Sequence, residues 1–224
     1  MTRKARQAYL FAGVGILQFF FVLTVSMLIY HGGDRFDPTA EGYNFFGSYL
    51  SDLGRMHGFS GIPTYGTGIF YAIGLIIMGI GTIIFFSYHH LLLPSTKRWV
   101  RTFTRLLGTI SGFGYIMIAL TPWDMYSDMH MVSVFTAFLS FMVACFLLFF
   151  SIRQNENYPN IYANIFLFFG VFIGCYVIFL IAGPSSNYEN GRIIQATGQK
   201  LLFYSQAISM FFCCLGAYKI STNA

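Results

Sequence analysis

Charge is scarce in this sequence. Asp, Glu, Lys and Arg make up 9% of its 224 residues, against roughly a quarter in a soluble domain, so a water-soluble globule of this size would lack the polar surface it needs. Cysteine is scarce as well. Cys145, Cys175, Cys213 and Cys214 all fall inside apolar runs and form no CxxC pair, which argues against a disulfide framework outside a membrane and leaves them as small buried hydrophobes. There is no Asn-x-Ser/Thr acceptor, no phosphate-binding glycine loop, no nucleic-acid surface, no internal repeat and no low-complexity tract.

Long apolar runs are what the chain does have. Its mean hydropathy is +0.62, and runs at about 9–30, 62–88, 102–121, 127–151, 161–182 and 192–218 are each long enough to cross hydrocarbon at about 1.5 Å per residue. The expected fold is all-α: a polytopic membrane protein with six transmembrane helices in one bundle, a single integral domain over 1–224, and a long outer loop between helices 1 and 2. The first run is too long for a signal peptide and lacks a cleavage site, so the first helix should be retained. Pro63 fits the first turn of helix 2, where a missing N–H is tolerated. Glycines at 66, 68, 74, 79 and 81, with Gly108-x-x-x-Gly112 and Gly170-x-x-x-Gly174, let helices approach closely. They also offer faces through which a homo-oligomer could form.

The basic residues are unevenly distributed between the two faces. Arg3, Lys4, Arg6, Lys97, Arg98, Arg101, Arg105, Arg153 and Lys219 lie on the face with the termini, against Arg35, Arg55, Arg192 and Lys200 on the other. Basic short loops mark the cytoplasmic side, so both termini are expected in the cytoplasm and the protein in the cell membrane, with the inner basic cluster meeting anionic headgroups.

The polar stretch Asn44 to Gly54, wedged between two apolar runs, organises the other face. Three segments there carry ionisable groups at the bilayer boundary: Ser51-Asp52 with His57, Asp124-x-x-x-Asp128-x-His130, and Gln195-x-x-x-Gln199-Lys200. A charge beside hydrocarbon is costly unless paired or wetted. Asp52, His57, Asp124, Asp128, His130 and Lys200 are therefore candidate binding residues of one shared pocket, with Lys200 the natural counter-ion of Asp52 or Asp124. Gln195, Gln199, Gln206 and Ser209 trace one inward face of the last helix. Blander roles compete. Asp124 or Ser127 could cap helix 4, Asp128 could sit at its positive end, His130 could be a structural histidine, and Asp52 could hold loop N–H groups. His31, His57 and His130 offer no i, i+4 pair, so no metal or cofactor is expected. A triad of Ser48 or Ser51 with His57 and an acid has no nucleophile-elbow pattern beside it.

Ser48-Tyr49-Leu50-Ser51-Asp52-Leu53-Gly54 after a first membrane helix, followed by Ala119-Leu120-Thr121-Pro122-x-Asp124 and His130, resembles the six-helix prokaryotic membrane proteins related to the DRAM/Sfk-type family. The resemblance implies a six-helix bundle, cytoplasmic termini and roles tied to membrane lipids, with no catalytic mechanism to carry over. A more distant likeness, to seven-helix ceramidase-like hydrolases, fails on helix count and on the absence of paired C-terminal histidines. The leading expectation is a non-enzymatic, lipid-associated protein with membrane lipids as partners and no nucleic acid. The alternatives are a membrane-embedded hydrolase acting on a lipid, with or without a metal, and a small-molecule transporter.

Overall fold

The computed structural model describes residues 3–223 and is all-helical, with six helices long and apolar enough to span a membrane. They are α1 (Arg3–Ile29), α2 (Tyr65–His89), α3 (Arg98–Leu120), α4 (Ser127–Arg153), α5 (Asn160–Ala182) and α6 (Glu189–Asn223). Each packs on its neighbours in sequence, and α1 against α6 closes the ring. The helices bury large side chains such as Phe19, Phe85, Tyr115, Phe141 and Phe169 inward, while Phe11, Phe21, Leu28, Phe168 and Ile178 stay more than half exposed on the outer faces, as lipid-facing residues must. This makes the chain an integral membrane protein.

Glycine sets several crossings. A methyl group added at Gly112 would meet the Gly79 carbonyl oxygen at 2.7 Å, so α2 and α3 cross with their backbones nearly touching. Gly74 similarly receives Val22 of α1, and Gly114 receives Ala137 of α4. These glycine faces are occupied inside the chain.

Element boundaries differ from the sequence expectation in ways that matter for the charges. Helix α2 starts after Thr64, so Pro63 lies outside it and bridges to His57 instead of occupying the first turn. Helices α3 and α6 each begin earlier than their apolar runs, which puts Arg98 and Arg101 on α3 and Glu189 in the first turn of α6. Charged first turns project past the apolar core, where hydropathy alone does not register them.

The connection 30–64 folds as a lid. Asp34 accepts the Phe36 and Asp37 N–H groups at 2.7 and 2.8 Å and the Asn44 amide at 2.8 Å. Burial pushes its carboxyl up, but these hydrogen bonds outweigh it and hold the group below the usual carboxylate range. Gly32 and Gly58 pack backbone on backbone, with no room for a side chain on either. A short helical turn at Leu50–Gly54 then buries Leu50, Asp52 and Leu53 against the bundle.

Candidate functional site

The turn at Leu50–Gly54 places Asp52, 3% exposed, beneath the lid. Its Oδ2 accepts the Tyr49 N–H at 2.7 Å, closing the turn on itself, and also accepts Arg192 Nη2 at 2.7 Å. Arg192, near the start of α6 and also 3% exposed, sends Nε to the Gly47 carbonyl at 2.9 Å and lies over the Tyr49 ring. Burial pushes the Asp52 carboxyl above the usual range, and Arg192 draws it partly back. Arg192 is thus the counter-ion of Asp52, which corrects the assignment of Lys200. Lys200 is buried too, at 2%, but it reaches the Ser48 carbonyl and sits near the Tyr43 and Phe45 rings, with no carboxylate in ion-pair range among the described residues. One turn separates Arg192 from Gln195 and two separate it from Gln199. The spacing that marks the glutamine stripe therefore also marks Arg192, which the sequence reading missed.

The glutamines complete the lid's attachment. Gln195 accepts the Tyr49 hydroxyl at 2.7 Å and donates to the Pro184 carbonyl at 2.6 Å, while Gln199 accepts the Leu50 N–H at 2.7 Å. Further down the same face, Gln206 bonds Tyr115 of α3.

Asp124 does not cap α4, whose N-cap position is Tyr126. Its carboxylate accepts the Met56 and His57 N–H groups at 3.1 and 2.9 Å, and the His57 ring lies 3.8 Å from Oδ2. His57 is half exposed and leans on Tyr65, so the two residues clamp the second half of the lid to the α3–α4 turn. Asp128 is exposed in the first turn of α4 and faces an apolar groove between α3 and α4, apart from the others.

His130, buried at 4%, bonds through Nδ1 to the Thr121 carbonyl at 2.7 Å. A carbonyl only accepts, so Nδ1 carries the proton, and in the neutral ring Nε2 offers a lone pair.

Asp52, Arg192 and His130 line one cavity of about 460 Å³ between α4, α5, α6 and the lid. Its outer part is polar, with Arg35, Tyr49, Ser51, Ser186 and Gln195 in the wall. Its inner part is apolar, with Val134, Phe135, Phe138 and Leu180. Phe138 lies eight residues beyond His130 on α4, about 12 Å deeper. Ile181 lines the cavity while 73% exposed, so the wall beside α5 opens toward hydrocarbon. Among the described residues, Arg192 Nη1 and Asp52 Oδ1 have no protein partner, and no three His, Cys, Asp or Glu side chains gather closely enough to hold a metal.

Of the six candidates, then, Asp52 and His130 share the cavity, His57 and Asp124 pair with each other outside its lining, Lys200 sits behind the lid, and Asp128 stands apart.

The arrangement is that of a small helical-bundle membrane protein with a folded lid over a two-character cavity. Residues 37–216 match the family described as protein of unknown function (DUF998), and the chain belongs to that family. No curated protein and no solved structure matches it.

Proposed function

We propose that the protein is a non-enzymatic lipid-binding protein of the cell membrane. It holds the polar head of an amphiphile under the lid, on the extracytoplasmic side, with an alkyl chain running between α4 and α5. The single observation that carries this reading is the division of the cavity lining. Arg35, Ser51, Ser186, Arg192 and Gln195 stand at the outer end, with Val134, Phe135, Phe138 and Leu180 below them. A volume near 460 Å³ falls within the roughly 300–1,000 Å³ of ligand pockets. The opening at Ile181 gives a chain entry from the bilayer without crossing water. The DRAM/Sfk-type resemblance, with its lipid-linked roles, points the same way.

The test is lipid analysis of protein purified in mild detergent. Wild type should retain lipid through size exclusion. Val134→Trp, which fills the apolar half, should lose at least half of it. Ile178→Trp, on the lipid-facing side of α5, should lose none. Equal lipid content in all three would overturn the proposal.

A second reading rests on His130. With Nδ1 fixed on Thr121 and Nε2 free in a cavity that also holds Ser51 and Asp52, the ring could serve as a general base in hydrolysis of a lipid ester or amide. Turnover of a fluorogenic lipid ester that His130→Gln abolishes, in protein that still folds, would replace the binding reading with this one.

A further inference from the structure

The opposite end of the bundle holds a second, unrelated constellation. Arg98, Arg101 and Arg105 stand at i, i+3 and i+7 in the first turns of α3 and, with His90 and Thr102, line a cavity of about 440 Å³. None of the three guanidiniums donates a hydrogen bond or forms an ion pair with any described residue. Like charges on one helix face repel, and here the positive end of the α3 dipole adds to them.

The cavity continues inward. A pocket of about 10 Å³, shared at its mouth by His90, Arg101 and Arg105, reaches His89, Thr104 and Ser151. That is room for about one water or one oxygen atom. Thr104 is 6% exposed and its hydroxyl has no partner, and His89 is 1% exposed with neither ring nitrogen bonded. Orphaned buried donors are rare because each costs on the order of 1–3 kcal/mol. Here they stand directly behind unneutralised cations. The flank of the cavity is apolar and exposed, with Trp99 at 65% and Leu106 at 52%, so a ligand bound there has hydrocarbon beside it.

We propose that this end is a binding site for a phosphate-bearing anion. The phosphate is held by Arg98, Arg101 and Arg105, with one oxygen reaching down to the Thr104 hydroxyl. Guanidinium forks match phosphate geometry, and a buried hydroxyl behind them converts a charged surface into a shaped site. The phosphate belongs either to an anionic lipid headgroup or to a soluble molecule.

The test uses full-length protein stripped of native lipid in detergent. Inorganic phosphate and short-chain phosphatidic acid are titrated separately against a short-chain phosphatidylcholine control, with binding read by native mass spectrometry and by shift in the unfolding midpoint. Phosphatidic acid should bind more tightly than phosphatidylcholine. Binding of phosphatidic acid alone assigns the site to a lipid headgroup, whereas binding of inorganic phosphate as well assigns it to phosphate in either form. Arg101→Gln with Arg105→Gln should weaken binding roughly tenfold to a hundredfold, and Thr104→Val severalfold. Arg153→Gln, on the same face but outside the cavity, should leave it unchanged. The proposal is overturned if neither phosphate compound outbinds phosphatidylcholine, if Arg153→Gln weakens binding as much as the double variant, or if Thr104→Val has no effect in folded protein. The last two outcomes would reduce the site to diffuse surface charge.

Discussion

At the lid end of the bundle the side chains of Asp52, Asp124, Arg192 and Lys200 all bond to groups of the same chain, whereas at the other end the guanidiniums of Arg98, Arg101 and Arg105 bond to none of the described residues. The two ends therefore use charge differently. Under the lid, ionic groups fix the fold and shape a cavity, and their removal is felt first as instability. At the arginine end the guanidiniums make no side-chain bond within the described residues, which is the arrangement the proposed anion site requires.

The largest expected effect comes from breaking the lid end. Arg192→Ala leaves Asp52 buried without its cation and removes the bond to Gly47, and losing one partner of a buried pair costs about 3–5 kcal/mol. Thermal unfolding in detergent should show a lowered midpoint, and limited proteolysis should cut within 31–64. Replacing both partners, with Asp52→Asn and Arg192→Leu, should recover part of the loss because no lone charge remains buried. A midpoint unchanged by Arg192→Ala would abolish the contrast between the two ends.

A smaller, local effect concerns pH. Asp34 has a folded-state value below its unfolded one, so its contribution is fully present above the usual carboxylate value of about 3.9 and is lost as pH falls through the folded value. Asp52 is shifted the other way by burial, so the comparison must isolate Asp34. Wild type should lose protection of the Phe36 and Asp37 amides in hydrogen exchange as pH drops from 5 toward 3. Asp34→Asn should show weaker protection already at pH 5 and a flatter change below it. Parallel curves would mean that the carboxylate does not hold the lid.

The sequence announces the architecture better than the pairings. Six apolar runs translate into six helices because hydrocarbon forces every backbone group into intrahelical bonds, and the few charges at the loop end had to be buried or paired for the same reason. Which partner each takes depends on the lid's path. Arg192 and Lys200 both lie in the outer part of α6, yet the lid's path brings Arg192 to Asp52 and leaves Lys200 behind Ser48. Asp124 sits just before α4, where a cap is the default expectation, yet two lid N–H groups 67 and 68 residues away in sequence claim its carboxylate. Long-range contacts of that kind leave no local pattern. The arginine cavity was legible only as a basic connector. That Thr104 and His89 lie unpaired behind it follows from the packing of α2 against α3, which no spacing rule encodes.

The smallest expected effect sharpens the comparison most. Arg101→Gln with Arg105→Gln makes the same kind of change as removing Arg192, yet it breaks no bond among the described residues. In delipidated protein at low ionic strength the unfolding midpoint should stay within the small shift typical of surface changes, about 0.5 kcal/mol, or rise as mutual repulsion is relieved. Added salt should stabilise wild type and leave the double variant flat, since a Debye length of about 10 Å at 0.1 M screens neighbouring guanidiniums only where they are present. If the double variant instead loses as much stability as Arg192→Ala, the arginines are structural and the difference between the two ends disappears. If it loses stability only when phosphatidic acid is present for wild type, the missing stabilisation is that of the bound anion, because a ligand that binds only the folded chain raises its stability by mass action.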